Sequence, residues 1–315
     1  MDNLPSLEHI LGIIQVIFII AFSPLIVGLM RKIKAKSQKR VGFGIFQTYY
    51  DILKLFRKEE MVSDQSSWIF RITPWVNFVS AISAGFFIPV FFVHSPFGVV
   101  GDVLLVVGFF GIGRFFMMLA GLDTGSSFGG LGSSREMMIS MLIEPALFMT
   151  LFVIAGFYGG TNISTIVSSA HETSFLAVPG ILFALIAFFV LMMAETGKLP
   201  FDNPSTHLEL TMIHEAMILE YSGRSLALIE WSNAIKQMIL FTLFINIFIP
   251  WYIAEQISFI GIIFGIITFI LKVTVLGSLI AFIETNVAKW RLFRISDLVA
   301  MAIASSMIGM IFFFL

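Results

Sequence analysis

The sequence predicts an all-α integral membrane protein with about eight transmembrane helices and additional amphipathic cytoplasmic helices. Of its 315 residues, 58% are hydrophobic and only 12% are charged, and the mean hydropathy is +0.96. Soluble globular proteins carry about 25% charged residues, so this composition does not suit a water-exposed surface. A soluble enzyme, a nucleic-acid-binding protein and a disordered scaffold are excluded, and most of the surface is expected to face the lipid bilayer.

Eight apolar segments are close to the roughly 20 residues that a helix needs to cross the hydrocarbon core. They form one polytopic membrane domain over residues 1–315, with predicted cytoplasmic loops at 31–74, 122–136, 195–234 and 284–297. The first segment is interpreted as a retained anchor and not as a signal peptide, because its basic residues follow the apolar run. The predicted spans are residues 10–30, 75–93, 103–121, 137–157, 175–194, 235–254, 257–283 and 298–315.

The distribution of basic residues predicts the orientation. Of the 19 Lys and Arg residues, all but Arg114 and Lys272 lie outside the predicted spans or at their edges, and all of those lie on one side. Because basic loops stay in the cytoplasm, we expect a multi-pass protein of the cell membrane with both termini outside. An intramembrane cation either lines a polar interior or snorkels to the interface. Both interpretations stay open for Arg114, whereas an interior role is favoured for Lys272.

The absence of cysteine restricts the chemistry of the chain. With no Cys, it forms no disulfide and supplies no thiolate to an iron–sulfur cluster or a covalently attached haem. The pair His214-Glu215 resembles the start of the zinc motif HExxH, but residue 218 is Ile, so the second histidine is missing. A metal pair of His207 with His214, two helical turns apart, is the minor alternative. No cofactor is therefore expected in this chain.

Three cytoplasmic segments have patterns of their own. Apolar residues at helical spacing between Ile45 and Phe56 predict an amphipathic helix on the membrane surface, as a plain surface helix or a docking surface. The segment 122–136 is rich in Gly and Ser but lacks the spacing of a phosphate-binding loop, and it is interpreted as a loop that fits closely against another protein. In the third segment, residues 195–236, Ser205 or Thr206 can cap a helix, with Glu209 at the capping-box distance of Thr206, and Gly223 is predicted to end that helix.

The acidic residues form the stronger functional signal. Glu144 lies inside the fourth predicted span and precedes Pro145, which removes a backbone donor and loosens the helix. Buried carboxylates have raised pKa values, and a chain of them passes protons along through water. Some cytoplasmic carboxylates are expected to form ordinary ion pairs with Arg135, Arg224 or Lys198, and Glu144 is the least easily explained in that way. The other candidates are Glu136, Glu195, Asp202, Glu209, Glu215, Glu220, Glu230 and Glu284.

Four segments resemble the subunit-1 family of respiratory complex I and its hydrogenase relatives. They are residues 35–44 (AKSQKRVGFG), 49–59 (YYDILKLFRKE), 114–146 and 195–223. Within the family, the runs DTGSSFGG and PFDNP and the stretch 206–223 resemble the membrane-anchor subunit of energy-converting, group 4 nickel–iron hydrogenases and formate hydrogenlyases. The quinone-reducing branch more often carries an acidic residue near Asn203 to Ser205, and it continues differently after the Q-x-R pattern that begins here at Gln38.

The resemblance implies a non-catalytic membrane subunit that anchors the peripheral redox arm of a membrane-bound hydrogenase and couples electron transfer to H⁺ or Na⁺ translocation. Implied partners are a hydrogenase-like large subunit with the [NiFe] centre, an iron–sulfur small subunit with [4Fe–4S] clusters, and antiporter-like membrane subunits. The implied ion or proton path comprises Glu144, Glu195, Glu209, Glu215, Glu220 and Lys272. The implied subunit interface comprises Gln38, Arg40, Asp51, Asp123, Gly129, Arg135, Glu136, Asp202 and Arg224.

Two alternatives remain at this stage. The first keeps the same role in a complex I-like reductase of sulfane sulfur or of quinone. The second is a stand-alone ion transporter, which would explain the intramembrane charges without any partner. The transporter is less favoured because no inverted repeat is evident and because the long loop at 195–236 carries apolar residues that require a covering surface.

Overall fold

The computed structural model describes residues 4–93, 95–98, 100–172, 178–202, 213–254, 258–288, 290 and 292–314. In this part of the chain the fold is entirely helical, with eleven helices and no strand. The helices are α1 (Leu4–Ser37), α2 (Gln47–Phe56), α3 (Trp68–Gly85), α4 (Val103–Asp123), α5 (Ser127–Tyr158), α6 (Ile163–Glu172), α7 (Pro179–Glu195), α8 (His214–Ile218), α9 (Gly223–Phe248), α10 (Phe259–Asn286) and α11 (Leu292–Phe314).

The helix lengths confirm the predicted all-α, multi-pass class. In the described part of the chain, six helices (α1, α4, α5, α9, α10 and α11) are long and apolar enough to cross a membrane, and α7 is a shorter apolar helix. The second predicted span, residues 75–93, begins inside helix α3. Helix α9 lies deepest, with 78% of its apolar stretch inside the bundle, whereas the corresponding values for α10 and α11 are 33% and 22%. Helix α9 contributes one residue, Lys236, to the site described below.

The second and sixth predicted spans have different ends from those expected. Helix α3 stops at Gly85 and not at residue 93, because the following segment leaves the helix and is held by side chains. Gln15 Oε1 accepts the backbone N–H groups of Val90, Phe91 and Phe92 at 2.6, 3.1 and 3.2 Å. Buried backbone donors need such partners, so one amide side chain replaces the missing helical hydrogen bonds.

Helix α9 begins well before the predicted start at residue 235. Gly223 was expected to end a helix, but it begins α9, with a φ of +52°. A Cβ at this position would stand 2.6 Å from the carbonyl oxygen of Glu59, so the glycine permits the close approach of the preceding loop. Ser222 Oγ fixes that loop by accepting the N–H of Met61 at 2.8 Å. The predicted start of that helix, at Thr206 and Glu209, lies outside the described residues. Between α7 and α9, the described residues contain one helix, α8.

The glycine-rich segment is helical from Ser127 onward, so the prediction of a loop over 122–136 is wrong. Helix α5 begins one residue after Ser126, whose side chain accepts the N–H of Gly129 at 3.1 Å as an N-cap. A Cβ at Gly129 would overlap the carbonyl oxygen of Gly121, and one at Gly132 would stand 2.9 Å from the Cβ of Ala216. These glycines allow α4, α5 and α8 to pack closely within this chain.

The amphipathic helix α2 is present as predicted. Ile52 is buried, and a Cβ at Gly28 would stand 3.2 Å from Thr48 Oγ1, so α2 packs closely on α1. Phe46 and Leu53, which belong to the predicted apolar face, remain exposed at 58% and 55%. That combination fits a helix whose inner side contacts the bundle and whose outer apolar residues reach the membrane surface.

Two helices, α1 and α3, contain a proline. In each of them a side chain from another part of the chain donates to the carbonyl that the proline leaves without a donor. A proline inside a helix leaves the carbonyl four residues earlier without its usual donor. In α1, Pro24 frees the carbonyl of Ile20, which accepts Trp231 Nε1 of α9 at 3.0 Å. In α3, Pro74 frees the carbonyl of Phe70, which accepts the hydroxyl of Tyr221 at 3.0 Å. These bonds join α1 and α3 to the region around α9.

We predict opposite effects for two adjacent glycine substitutions. Gly129→Ala is expected to lower the free energy of unfolding by about 1–3 kcal/mol, because the new methyl group meets backbone that has little room to move. Gly130→Ala is the matched control, since a Cβ there has nothing within 4 Å, and it is expected to raise the stability by about 0.5–1 kcal/mol. The measurement is thermal unfolding of the purified protein in mild detergent. Equal effects of the two substitutions would contradict the proposed close packing.

Candidate functional site

The centre of the candidate site is one buried guanidinium. Arg114 of α4 is 9% exposed and contacts three carboxylates from two other helices. Its Nη1 lies 3.0 Å from Glu144 Oε1, its Nε lies 3.4 Å from Glu136 Oε1, and its Nη2 donates to Glu195 Oε2. Lys236 of α9 also binds Glu195 Oε2, at 2.8 Å. We call these five residues the Arg114 network.

The network lies at membrane depth. Arg114 is near the middle of α4, and at 1.5 Å per residue it lies about 15 Å from either end of that helix. Glu144 is about 25 Å from the start of α5 and about 21 Å from its end. Charges in a medium of low polarity must be paired to be tolerated. The network contains two cations and three carboxylates, so it carries one excess negative charge when all five groups are ionised.

A cavity of about 740 Å³ connects the network to segments that lie outside the long helices. Its inner wall includes Arg114, Glu136, Glu195 and Lys236, and its outer wall is formed by the end of α1, the segment after it and the segments around α8. Many of the other lining residues are polar or charged. They include Arg31, Lys34, Gln38, Arg40, Lys198, Asp202, His214, Glu215, Glu230 and Asn233.

A second ion pair involves Lys34, which also lines the cavity. Lys34 Nζ of α1 is 2.6 Å from Glu284 Oε2 of α10, and the Glu284 side chain is 1% exposed. Burial lowers the pKa of nearby Lys198 to about 8, and the negative charge of Glu284 opposes that change. A lysine with such a pKa changes its protonation near neutral pH more readily than an exposed one. The pair joins α1 to α10, and the charge of Glu284 acts on Lys198 in the segment after α7.

The region around α8 holds a further titratable group. Asp202 is buried and its Oδ2 accepts the N–H of His214 at 3.0 Å. His214 Nε2 is 3.0 Å from Asn233 Nδ2 of α9. Burial raises the pKa of Glu215, while His214 opposes the change and Glu230 reinforces it. Glu215 of α8 and Glu230 of α9 both line the cavity, and the negative charge of Glu230 favours the protonated form of Glu215.

The structure brings together some of the predicted path and interface residues. Glu144 and Glu195 are joined through Arg114, together with Glu136, which the resemblance implied for the subunit interface. The prediction that Glu144 is the carboxylate least easily explained by an ion pair is wrong, because Arg114 of the neighbouring helix α4 pairs with it. The cavity lining adds Gln38, Arg40, Asp202 and Glu215.

Three predicted path residues are not part of this arrangement. Glu209 lies outside the described residues, and Glu220 is exposed between α8 and α9, away from the cavity lining. Lys272 lies in the middle of α10, and its Nζ donates to the carbonyl of Ile249 at 2.8 Å and to that of Trp251. A cation that caps the end of a helix in this way stabilises its last carbonyls. Lys272 therefore holds the end of α9.

The remaining predicted interface residues have contacts or positions within the chain. Asp51 accepts the side-chain N–H of Gln47 at 2.9 Å and lies 3.9 Å from Arg31. Asp123 at the end of α4 accepts the N–H of Ser67 at 2.7 Å, which ties α4 to the start of α3. Gly129 and Arg135 lie in the first turns of α5, and Arg224 is exposed at the start of α9. Their role toward other subunits stays a prediction.

Lys236 is the network residue that sequence reasoning missed. It lies one residue inside a predicted span, so it counts as a boundary cation in the sequence. One signal in the sequence could have found Lys236. The carboxylates predicted near the membrane carry more negative charge than Arg114 alone neutralises, so a second cation is needed. Within the described ranges, no three His, Asp or Glu side chains are grouped so as to hold a metal ion.

Removal of the central cation is expected to destabilise the protein strongly. Arg114→Met leaves three carboxylates with one lysine, and we expect a loss of about 3–5 kcal/mol in the free energy of unfolding. Arg31→Met is the matched control: its contact with Asp51 joins side chains that are 51% and 46% exposed, so the expected change is at most about 1 kcal/mol.

The double variant Arg114→Met/Glu195→Gln should recover part of the loss, since it also removes the most deeply buried charge. Thermal unfolding in detergent is the measurement for the single and double variants and for the control. A double variant no more stable than Arg114→Met would show that the cost lies in packing and not in charge.

Comparisons with known proteins assign the chain to a family. The sequence profile described as NADH dehydrogenase matches residues 9–314. Formate hydrogenlyase subunit 4 of Escherichia coli (strain K12) is 35% identical over 280 residues, which cover 89% of this chain and 90% of that protein. Hydrogenase-4 component C of the same organism is 34% identical over 282 residues, which cover 90% and 88%.

More distant relatives extend the match to other complexes. An NADH-quinone oxidoreductase subunit of Wolbachia pipientis wMel is 28% identical over 286 residues, which cover 83% of this chain and 82% of that protein. A chain of the membrane-bound sulfane sulfur reductase, described as an archaeal respiratory membrane complex, shares the fold with a TM-score of 0.79 at 19% identity, covering 96% of this chain and 99% of that one. The protein belongs to the NADH dehydrogenase subunit 1 family.

Proposed function

We propose that the chain is a non-catalytic membrane subunit that anchors the peripheral redox arm of a membrane-bound hydrogenase complex and couples electron transfer to H⁺ or Na⁺ translocation. The observation that carries this proposal is the Arg114 network, located at membrane depth and connected to the cytoplasmic segments by the cavity. An excess carboxylate in such a network changes its protonation when the charge around it changes.

The residues of the chain have separate tasks in this proposal. The groups at the cytoplasmic side of the cavity, Lys198 and Glu215 among them, have pKa values that burial has already shifted. They respond first to a change of charge in the arm above them. Glu195 shares its oxygen between Arg114 and Lys236, so a proton added there loosens two ion pairs at once. Glu144, at the far side of Arg114, receives the effect at membrane depth.

The proposed partners follow the chain's relatives. Similarity to formate hydrogenlyase subunit 4 and to hydrogenase-4 component C favours a hydrogenase-like large subunit, an iron–sulfur small subunit and antiporter-like membrane subunits. The [NiFe] centre and the [4Fe–4S] clusters would belong to those subunits, because this chain has no cysteine to ligate them. The one-sided distribution of basic residues favours a cell-membrane location with both termini outside.

A second candidate keeps the architecture and changes the reaction. The fold shared with a chain of the sulfane sulfur reductase complex favours the same coupling role in a sulfane-sulfur or quinone reductase. The cysteine motifs of the co-purified large subunit would distinguish the two, since nickel–iron chemistry needs thiolate ligands. Purification in mild detergent with mass spectrometry of the associated chains is the experiment. A chain that is stable alone and moves an ion by itself in liposomes would favour a transporter instead.

We predict that Glu144→Gln leaves the complex assembled but lowers the number of ions moved per electron pair. The amide keeps the shape and a hydrogen-bonding oxygen toward Arg114 but no longer binds and releases a proton. The measurement compares ion uptake with the rate of the redox reaction in membrane vesicles. Asp64→Asn is the matched control, because Asp64 is exposed in the loop before α3 and its removal should change neither quantity. Unchanged ion uptake in Glu144→Gln would remove Glu144 from the path.

A further inference from the structure

The third proline-containing membrane helix differs from the two described above. Pro145 in α5 frees the carbonyl of Met141 in the same way that Pro24 and Pro74 free theirs. Trp231 and Tyr221 donate to the carbonyls in α1 and α3. In the described part of the chain, no side chain donates to the carbonyl of Met141. The carbonyl of Met141 therefore lacks the side-chain donor that the carbonyls of Ile20 and Phe70 have.

The position of this carbonyl makes the difference important. Met141 is 79% exposed, Pro145 is exposed, and the Glu144 side chain beside them is 36% exposed. All three lie near the middle of α5, at membrane depth. A lipid chain offers no hydrogen bond to a carbonyl or a carboxylate, and each such group left unpaired in hydrocarbon costs several kcal/mol. The outer side of α5 thus presents two acceptors where lipid alone is a poor neighbour.

We propose that this side of the bundle, which we call the Glu144 face (Ile112, Phe115, Met141, Glu144 and Pro145), binds a transmembrane helix of another subunit of the complex. That helix donates hydrogen bonds to the Met141 carbonyl and to the Glu144 carboxylate. The inference rests on the proposed function insofar as it needs other membrane subunits, and it adds the place and the chemistry of one contact.

The surroundings of Glu144 suit an incoming helix. Ile112 and Phe115 of α4 are 47% and 54% exposed and provide an apolar rim. Gly108 lies one turn before Ile112 in α4. A Cβ at Gly108 would have nothing within 4 Å, so there is open space beside the rim. Small residues at such positions let helix backbones approach closely in membranes. A second copy of this chain fits poorly, because a symmetric contact would place these acceptors against the same acceptors.

Photo-crosslinking in intact membranes tests the proposal. A benzophenone amino acid replaces Met141 in one variant and Leu271 in the control, because Leu271 is an apolar residue of α10 that is 62% exposed. We expect position 141 to crosslink to a membrane-spanning peptide of another subunit that carries a donor side chain within one helical turn. Position 271 reports the yield of lipid adducts. Adducts of position 141 with lipid, with a second copy of this chain, or with a helix lacking donors would each overturn the proposal.

Pro145→Ala is the second test. The alanine restores an N–H for the Met141 carbonyl, so the partner helix loses an acceptor, and its retention during detergent washing should fall about fivefold, the effect of about one hydrogen bond. Pro24→Ala is the matched control, because the corresponding donor, Trp231, belongs to this chain, and partner retention should not change. Unchanged retention in Pro145→Ala would contradict the proposal. Retention of the redox arm, scored in the same samples, tests the proposed function separately.

Discussion

The pairing of Arg114 with three carboxylates is the interaction on which the arrangement of the bundle depends. A guanidinium at mid-membrane has to be neutralised, and its partners come from α5 and α7, with Lys236 of α9 as the second cation. Four helices must therefore meet at one depth and one angle. The glycines of α4 and α5 and the serine cap at Ser126 make that meeting possible, so polar and packing requirements determine the same geometry.

Interrupted helices are the second recurring feature. Each break leaves backbone groups that hydrocarbon does not satisfy, and the chain covers them with side chains from distant positions. Gln15 covers three N–H groups after α3, Lys272 covers two carbonyls after α9, and Trp231 covers the carbonyl freed in α1. Gln15, Trp231 and Lys272 thus serve the backbone of the bundle, although all three lie in apolar segments.

Features that depend on the local composition of the chain are predictable from the sequence. Features that depend on contacts between distant residues are not. The helical class and the amphipathic helix α2 follow from hydropathy, and the selection of Glu144 and Glu195 as candidates follows from the cost of buried charge and from the family resemblance. The early end of α3 does not, because Gln15 lies far away in the sequence. The segment 122–136 was misjudged since glycine favours loops locally, whereas Gly129 and Gly132 serve close helix packing. Lys236 was missed because a cation at the edge of a span is normally a boundary residue.

The depth of the Arg114 network gives it an electrical property. A charge that moves through the cavity to the middle of α4 crosses about half of the membrane, and crossing the whole membrane corresponds to about 2.3 kcal/mol per 100 mV. Loading a proton onto the network would therefore involve about 1.1 kcal/mol per 100 mV. Such loading would depend on the membrane potential as well as on the pH, so a large membrane potential would oppose or favour the arrival of a charge at the network before any other subunit takes part.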